Sequence, residues 1–326
     1  MRFFTSIHIR KKQIVSLLAL ELIFLPLHAE PGKDAVPEEP LPKIEVLEKF
    51  DDTRNKASSY ITRFGNWFDN FFADDLIYNE QQGSYIKLHL LQTYYEDDKP
   101  LYDAQIKAKL DIPKTQQKLQ LFFESLDEDE EDKQQISIDQ TIDNQEQTLG
   151  LRFLSLDANI WKITTIGAVR FHEGLDPLIR LRLRRLVTDG PLAYRFTENI
   201  FWYNSSGAGE TTRQDIDYSP AEKFLFRSTT QATWLNYNHY FDLGQDFVLY
   251  QNINKRKSVA YQVGARGITE SGLHKTDYFY LVDYRQQIHR KWLFLDLIPA
   301  IHHPEDNDFK PIRSLTLKLE IVFDAR

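Results

Sequence analysis

Hydrophobic and polar residues alternate with a period of two along most of this chain. The clearest case is LIRLRLRRLV at residues 178–187, where aliphatic side chains take the odd positions and arginines the even positions from 179 to 184. Successive side chains of a β-strand point to opposite faces, so this stretch has a hydrocarbon face and a guanidinium face. A helix would scatter both kinds of residue around its surface.

The alternation begins after Gly83 and continues almost to the end of the chain. Most alternating segments have 9 to 13 residues, whereas a strand of a soluble protein averages about five or six. A tilted strand needs roughly 9–11 residues to cross a bilayer. The pattern predicts fourteen strands, at 83–93, 101–112, 117–124, 146–155, 160–171, 178–187, 191–203, 209–218, 222–235, 239–253, 257–268, 275–287, 291–302 and 313–323.

The connections between these segments alternate in length, with the brief link near 236–238 as an exception. PKTQ, LDAN, TDGP, SPAE, NKRK and QIHRK are short turns. Short turns at one end and longer loops at the other are typical of outer-membrane barrels. The longer polar loops are predicted at 94–100, 125–145, 172–177, 204–208, 269–274 and 303–312.

These features predict an all-β fold, a transmembrane antiparallel β-barrel of about fourteen strands, with twelve as the alternative count. Within hydrocarbon every backbone polar group needs an internal partner, so the sheet has to close on itself. Its outward face is then apolar and its interior polar. A soluble β-sandwich also alternates, but it has shorter strands and its polar face lies outside.

The first 82 residues lack this alternation. Residues 1–29 have basic residues before an apolar run that ends in LPLHA, which indicates a signal peptide for export to the outer membrane of a Gram-negative bacterium. An uncleaved membrane anchor is the alternative. Residues 30–43 are rich in proline and predict a periplasmic linker before the barrel domain at 83–326.

Residues 44–80 have helical periodicity and predict an amphipathic helix. An aromatic stripe of this kind either packs against protein or lies in a membrane interface. The helix is therefore a candidate plug of the barrel or a docking element for a partner. The stripe consists of Phe64, Trp67, Phe68, Phe71 and Phe72.

Aromatic residues collect near the ends of the alternating segments, as expected at the two membrane–water boundaries. They are Tyr94, Tyr95, Trp161, Phe171, Trp202, Tyr203, Trp234, Tyr237, Tyr240, Tyr278 and Trp292. Phe323, near the carboxyl end, is similar to the terminal signal read by the barrel-assembly machinery, although three residues follow it. The predicted partners are therefore outer-membrane lipid and that machinery, together with a small solute.

Several stretches between residues 60 and 326 resemble a gammaproteobacterial family of exported proteins of unassigned function. They are WFDNFFADD, SYIKLHL, IRLRLRR, GETTRQDIDY, ATWLNYN, KWLFLDLIPAI and LTLKLEIVF. The resemblance implies a helical leader followed by an outer-membrane barrel. It implies no activity and no site residues.

The inward parity has a basic bias. Such a set either lines a pore that favours anions or forms ion pairs that fill the interior, because buried charges persist only when paired. Acidic residues of the same parity, such as Asp215 and Glu320, favour the second interpretation. The candidate lining residues are Lys107, Lys109, Arg152, Lys162, Arg170, Arg180, Arg182, Arg184, Arg195 and Arg227.

Other chemistry has weaker support. The acidic run 127–132 lacks calcium-loop spacing, and adjacent histidines in HHPEDND at 302–308 would point opposite ways on an extended segment. No nucleophile elbow, phosphate loop or dinucleotide fingerprint occurs, and the chain has no cysteine. We therefore predict no catalytic, metal or cofactor site.

The formal net charge is −8, and removal of residues 1–29 makes it three units more negative, which argues against nucleic-acid binding. The predicted function is a passive channel or transport barrel for small solutes. A non-conducting structural or partner-docking protein is the main alternative, and a lipid-acting enzyme is the third. The sequence leaves the solute and the oligomeric state open.

Overall fold

A computed structural model describes residues 84–96, 99–112, 119–124, 147–158, 161–171, 174–289 and 292–324. Within these residues the chain forms fourteen antiparallel strands that close into one barrel. The strands are β1 (Tyr85–Tyr95), β2 (Leu101–Asp111), β3 (Leu119–Glu124), β4 (Gln147–Ala158), β5 (Trp161–Phe171), β6 (Leu175–Asp189), β7 (Leu192–Tyr203), β8 (Gly207–Ala221), β9 (Phe224–Leu235), β10 (Phe241–Asn254), β11 (Lys257–Ile268), β12 (His274–His289), β13 (Leu293–His302) and β14 (Ile312–Asp324).

Each strand pairs with its neighbours in sequence, and β1 closes the barrel against β14, from Tyr85 opposite Asp324 to Tyr95 opposite Ser314. Closure gives the strands backbone partners on both sides, so the barrel has no sheet edge. The predicted fold class is confirmed with fourteen strands, and the alternative of twelve is wrong. A single turn of 3₁₀ helix, Glu305–Asn307, lies between β13 and β14.

The connections define two ends of the barrel. At the turn end, residues 190–191, 222–223 and 255–256 join consecutive strands in two residues each. The loop end holds longer connections, such as 236–240 and 303–311. The predicted length of two loops is wrong, because β6 and β8 extend further toward this end than the alternation indicated and leave only 172–174 and 204–206 as connections.

The outward face carries the aliphatic and aromatic side chains expected of a barrel in hydrocarbon. Ile106, Leu181, Leu297 and Leu315 are all exposed, as their parity predicted. Trp202 is also outward and exposed. A closed β-barrel with this apolar outer surface has the architecture of a bacterial outer-membrane protein.

Two aromatic residues predicted at the membrane boundary point inward instead. Tyr203 is 3% exposed and packs inside the barrel on Phe201, with their ring centroids 5.2 Å apart. Tyr95 packs against the inward cluster that contains Ile298 and Leu281. The prediction failed because adjacent aromatic residues on a strand have opposite parity, so only Tyr94 and Trp202 of the two pairs can face lipid.

No helix in the part of the chain that the structure describes is long and apolar enough to cross a membrane. The predicted signal peptide, linker and amphipathic helix, with Phe64, Trp67, Phe68, Phe71 and Phe72, lie outside the described residues. These three assignments stay predictions.

Candidate functional site

The arginine row of β6 points into the barrel. Arg180 and Arg182 are 1% and 7% exposed, whereas the neighbouring Ile179 and Leu181 face outward. Arg180 Nη2 donates a 2.7 Å hydrogen bond to Tyr203 Oη, and Arg182 Nε donates a 2.8 Å bond to Asn199 Oδ1. Both acceptors lie on β7, and the antiparallel register places Asn199 directly opposite Arg182. Arg184, the third member of the row, is half-buried.

Every predicted lining residue has the inward parity that the sequence indicated. Most of them belong to the first half of the barrel, and Arg195 and Arg227 belong to β7 and β9. Two pairs of basic residues face each other across neighbouring strands: Lys87 lies opposite Lys107, and Lys162 lies opposite Arg184. Like charges directly opposite in a sheet repel, but in register Lys107 also lies opposite Glu124 on β3 and Lys162 also lies opposite Asp157 on β4.

Aromatic rings accompany several of these cations. The Nζ atoms of Lys87 and Lys109 are each 5.2 Å from the centroid of the Tyr85 ring, on β1 beside them. The Arg152 guanidinium lies 5.4 Å from the Phe122 ring. Such contacts attract the cation to the ring face by about 0.5–2 kcal/mol. The rings therefore help to hold the basic side chains along the wall of the barrel.

Arg170 is bound at the loop end. Its Nη2 donates a 2.6 Å hydrogen bond to Asp176 Oδ2, and its guanidinium lies 4.5 Å from the Tyr203 ring. Ser205, in the connection between β7 and β8, donates both its backbone N–H and its hydroxyl to the same carboxylate. This cluster links β5, β6 and the connection between β7 and β8 at the loop end.

A network of ion pairs crosses β7, β8 and β9 near the turn end. Arg227 donates two hydrogen bonds to Asp217, from Nε at 2.7 Å and from Nη2 at 3.0 Å. Arg195 lies 3.7 Å from Asp215 and 3.9 Å from Asp217. Arg213 donates to Asp215 at 3.0 Å. Three guanidinium groups share two carboxylates, so the network carries one net positive charge.

A second network crosses β12, β13, β14 and β1. Arg285 donates to Asp296 at 2.7 Å and also to Glu320. Lys318 lies 3.2 Å from Asp296, and the imidazole of His89 lies 3.0 Å from Glu320. Because β1 and β14 form the closing seam, this network joins the two ends of the barrel sequence. Isolated charges at such buried positions would carry a large desolvation cost, so the pairing is required for stability.

The charges are distributed unevenly around the barrel. Among the described inward positions, the strands β1 to β6 carry nine basic and four acidic residues, whereas β7 to β14 carry six basic and eight acidic residues. The first set consists of Lys87, Lys107, Lys109, Arg152, Lys162, Arg170, Arg180, Arg182 and Arg184 against Asp103, Asp111, Glu124 and Asp176. The second consists of Arg195, Arg213, Arg227, Arg266, Arg285 and Lys318 against Asp215, Asp217, Asp242, Asp246, Asp277, Asp283, Asp296 and Glu320. One half of the wall is therefore positive and the other is nearly balanced.

Two inward apolar clusters lie among these polar groups. One contains Phe122, Ile166, Leu178 and Phe201, and the other contains Phe279 with Ile298. Glycines make room for their rings. Gly150, Gly209 and Gly264 each lie directly opposite a phenylalanine on the neighbouring strand, and a Cβ at any of them would come within 2.7 Å of that ring.

The two histidines of HHPEDND point opposite ways, as an extended segment requires. His302 Nδ1 lies 3.1 Å from Asp277 Oδ2 inside the barrel, whereas the His303 ring stacks on Tyr278 at 4.4 Å. No group of three or more metal-ligating side chains is present in the described part of the chain. The acidic run 127–132 lies outside the described residues.

The main partners that sequence reasoning missed are neutral ones. Tyr203 and Asn199 hold the arginine row, and Thr229 donates a 2.7 Å hydrogen bond to Asp215. Their inward parity is visible in the sequence, but parity does not show which residues lie opposite one another on neighbouring strands.

Several solved outer-membrane proteins have similar architecture. One is OprB of Pseudomonas putida, with a TM-score of 0.48 and 7% identity over 74% of this chain and 93% of that chain. Another is the outer membrane channel DcaP of Acinetobacter baumannii, with a TM-score of 0.44 and 7% identity over 74% of this chain and 96% of that chain. OmpT of Vibrio cholerae is a further example, with a TM-score of 0.41 and 8% identity over 74% of this chain and 96% of that chain. No protein-family model matches the sequence, and no curated protein matches it at a significant level.

Proposed function

We propose that the protein is a passive channel or transport barrel for small solutes in the outer membrane, with a preference for anions. The observation that supports it is the excess of basic residues on the inward face of β1 to β6. A wall of one charge sign raises the local concentration of oppositely charged solutes. Rings of basic side chains favour anions in pores of this kind.

Single-channel recording in a planar bilayer tests this proposal. The full chain should give steady conductance steps, and in a gradient of potassium chloride its reversal potential should lie toward the chloride equilibrium potential. Silence from a barrel shown to be folded, or a preference for potassium, would overturn the proposal.

Two substitutions test the role of the wall. Lys107→Gln and Lys162→Gln each remove one positive charge from the inward face, on β2 and β5 respectively, and urea unfolding checks that each variant is folded. Both should move the reversal potential toward that of potassium. Lys310→Gln is the matched control, because Lys310 lies in the connection between β13 and β14 and is 70% exposed; it should leave the reversal potential unchanged.

The predicted helix at residues 44–80 is proposed as a plug of the barrel. Comparison of the full chain with a variant that lacks residues 30–80 tests it, since removal of a plug should enlarge the conductance steps. Equal steps from both forms would contradict the plug.

The alternative function is a closed barrel that serves as a structural or docking protein. The favouring observation is the complete burial of inward groups such as Arg227, Glu320 and Asn199, each at 0% exposure. Crosslinking from Trp67 or Phe71 distinguishes the two functions: a plug crosslinks within its own chain, and a docking helix crosslinks to another protein.

A further inference from the structure

The inward face of β1 to β6, which we call the basic wall, is a surface of strongly positive charge, with nine basic residues against four acidic ones. Three of the basic residues lie close together toward the turn end. Lys87 is in register with Lys107, and the Nζ atoms of Lys87 and Lys109 both lie 5.2 Å from the centroid of the Tyr85 ring. Charges of one sign gathered on a concave wall attract groups of the opposite sign.

The chain enters the barrel beside this wall. Ser84 directly precedes β1, and its hydroxyl accepts a 3.0 Å hydrogen bond from the backbone N–H of Asp111 at the end of β2. This bond ties the start of the barrel to the turn end of β2. The residues before Ser84 are therefore tethered next to the basic wall.

The tethered residues can reach the whole basic wall. A chain extends by at most about 3.6 Å per residue, so a side chain five residues before Tyr85 lies within about 18 Å of it, and one ten residues before it lies within about 36 Å. Neighbouring strands are about 4.8 Å apart, so Lys162 on β5 is roughly 19 Å around the wall from β1. The chain that precedes β1 is long enough to contact lysines on β2 and on β5.

The segment that precedes β1 carries the opposite charge. Residues 69–80, which we call the acidic segment, lie outside the described residues and contain neither lysine nor arginine. Residues 30–63, by contrast, mix six basic with eight acidic residues. A stretch of purely negative charge is thus found next to the basic wall in the sequence. Its charged residues are Asp69, Asp74, Asp75 and Glu80.

Connectivity favours this segment over a separate partner. A short flexible tether keeps the carboxylates near the wall at an effective concentration in the millimolar range. A free anion has to match that concentration to compete, and a separate acidic protein loses translational and rotational freedom on binding. Charge and connectivity therefore select the same occupant.

We propose that the acidic segment binds inside the barrel against the basic wall, with its carboxylates beside Lys107 and Lys162, the half-buried lysines of β2 and β5. Its four negative charges offset most of the net five positive charges of the wall, nine basic minus four acidic residues. The proposal assigns the proposed plug to one side of the interior and gives charge as the reason.

The consequence for conduction rests on the proposed channel function. Permeating anions concentrate on the basic wall, so a segment bound there inhibits their passage. Salt screens charges that water can reach, and at about 1 M ionic strength the Debye length is only about 3 Å. High salt should therefore release the segment.

Carbodiimide crosslinking tests the contact, because this reagent joins carboxylates to amines that touch them. The full chain is refolded into phosphatidylcholine vesicles, treated at low salt, and digested for mass spectrometry. An amide bond between the acidic segment and Lys107 or Lys162 is expected. The pair formed by Lys310 and Asp308, exposed and 3.5 Å apart, shows that the reaction has worked.

A mixture of isotope-labelled and unlabelled chains shows whether the product lies within one chain. The amide product between Lys310 and Asp308, without any product from the acidic segment to the wall lysines, would overturn the proposal. So would a product that joins the acidic segment to another copy.

A spin label provides a second measurement, since the chain has no cysteine and a label at Ala73→Cys is unique. The label should be restricted at low salt and should rotate several-fold faster at about 1 M potassium chloride. Asp74→Asn with Asp75→Asn should free it at low salt. The matched control, Asp51→Asn with Asp52→Asn, removes the same charge from residues 30–63 and should leave it restricted.

The wall is tested in the same way. Lys107→Gln with Lys162→Gln should free the label, whereas Lys310→Gln should not. A label that is mobile in the parent chain, or that responds equally to both aspartate pairs, would contradict binding by the acidic segment. Neither measurement uses conductance: a bound segment in a silent barrel would refute only the channel, and conductance with a free segment would refute only this contact.

Discussion

The pair formed by Arg227 and Asp217 offers a direct test of how the inward charges stabilise the barrel. Their side chains are 0% and 3% exposed and are joined by hydrogen bonds of 2.7 and 3.0 Å. Asp217→Asn keeps the shape and removes the charge. The oxygen of the asparagine amide can still accept one hydrogen bond from Arg227. Its NH₂ group then faces the other N–H donor of Arg227, and no hydrogen bond forms there.

The expected loss is about 3 kcal/mol of unfolding free energy. Breaking a buried ion pair by removing one partner costs about 3–5 kcal/mol, and one charge-assisted hydrogen bond accounts for about 1.5–3 kcal/mol of that. We take the lower end because Arg227 keeps one bond and a second carboxylate, Asp215, shares the same network.

Urea unfolding in lipid vesicles, followed by tryptophan fluorescence, measures this loss. The double variant Asp217→Leu with Arg227→Met should recover most of it, because a packed apolar pair often matches a buried ion pair in stability. Lys310→Gln, which breaks an exposed 3.5 Å pair with Asp308, should change the unfolding free energy by less than about 0.5 kcal/mol. A loss below about 1 kcal/mol for Asp217→Asn would refute the view that these ion pairs brace the wall.

Three further predictions concern packing, the lipid face and assembly. Gly209→Val should destabilise the barrel by about 1–3 kcal/mol, because a Cβ there would lie 2.4 Å from the Phe201 ring; Phe201→Ala in the same chain should relieve part of the loss in urea unfolding. Leu181→Arg, on the outward face of β6, should cost about 2–4 kcal/mol in vesicles, whereas an added lysine in a loop should cost little. Phe323→Ala should slow assembly of the barrel in cells while leaving the unfolding free energy of the assembled barrel nearly unchanged, which a pulse-chase assay of heat-resistant folded protein checks.

The strands and their two faces could be predicted from the sequence because a membrane barrel enforces a strict period of two. Leu181 and Arg182 are assigned to opposite faces by parity alone, and the structure confirms both. The register between strands was not read from the sequence, so the bonds from Arg180 to Tyr203 and from Arg182 to Asn199 could not be anticipated.

Parity alone also failed to identify the outward polar residues of β8. On β8 polar residues occupy both faces, since Thr212 and Gln214 point outward while Arg213 and Asp215 point inward. A stretch that is polar on both faces has no hydrophobic period, so its sequence does not show which polar residues face lipid.

The seam between β1 and β14 has a consequence for the order of events during biogenesis. Tyr85 and Asp324 are neighbours in the sheet but lie at opposite ends of the barrel sequence, so bringing them together costs on the order of 5 kcal/mol in chain entropy before any seam contact forms. Contacts this distant in sequence make folding slow. The unfinished sheet would present two open strand edges throughout that delay. The last strand therefore sets the time at which the protein ceases to be prone to aggregation, and the link from His89 to Glu320 is among the interactions that can form only at that final step.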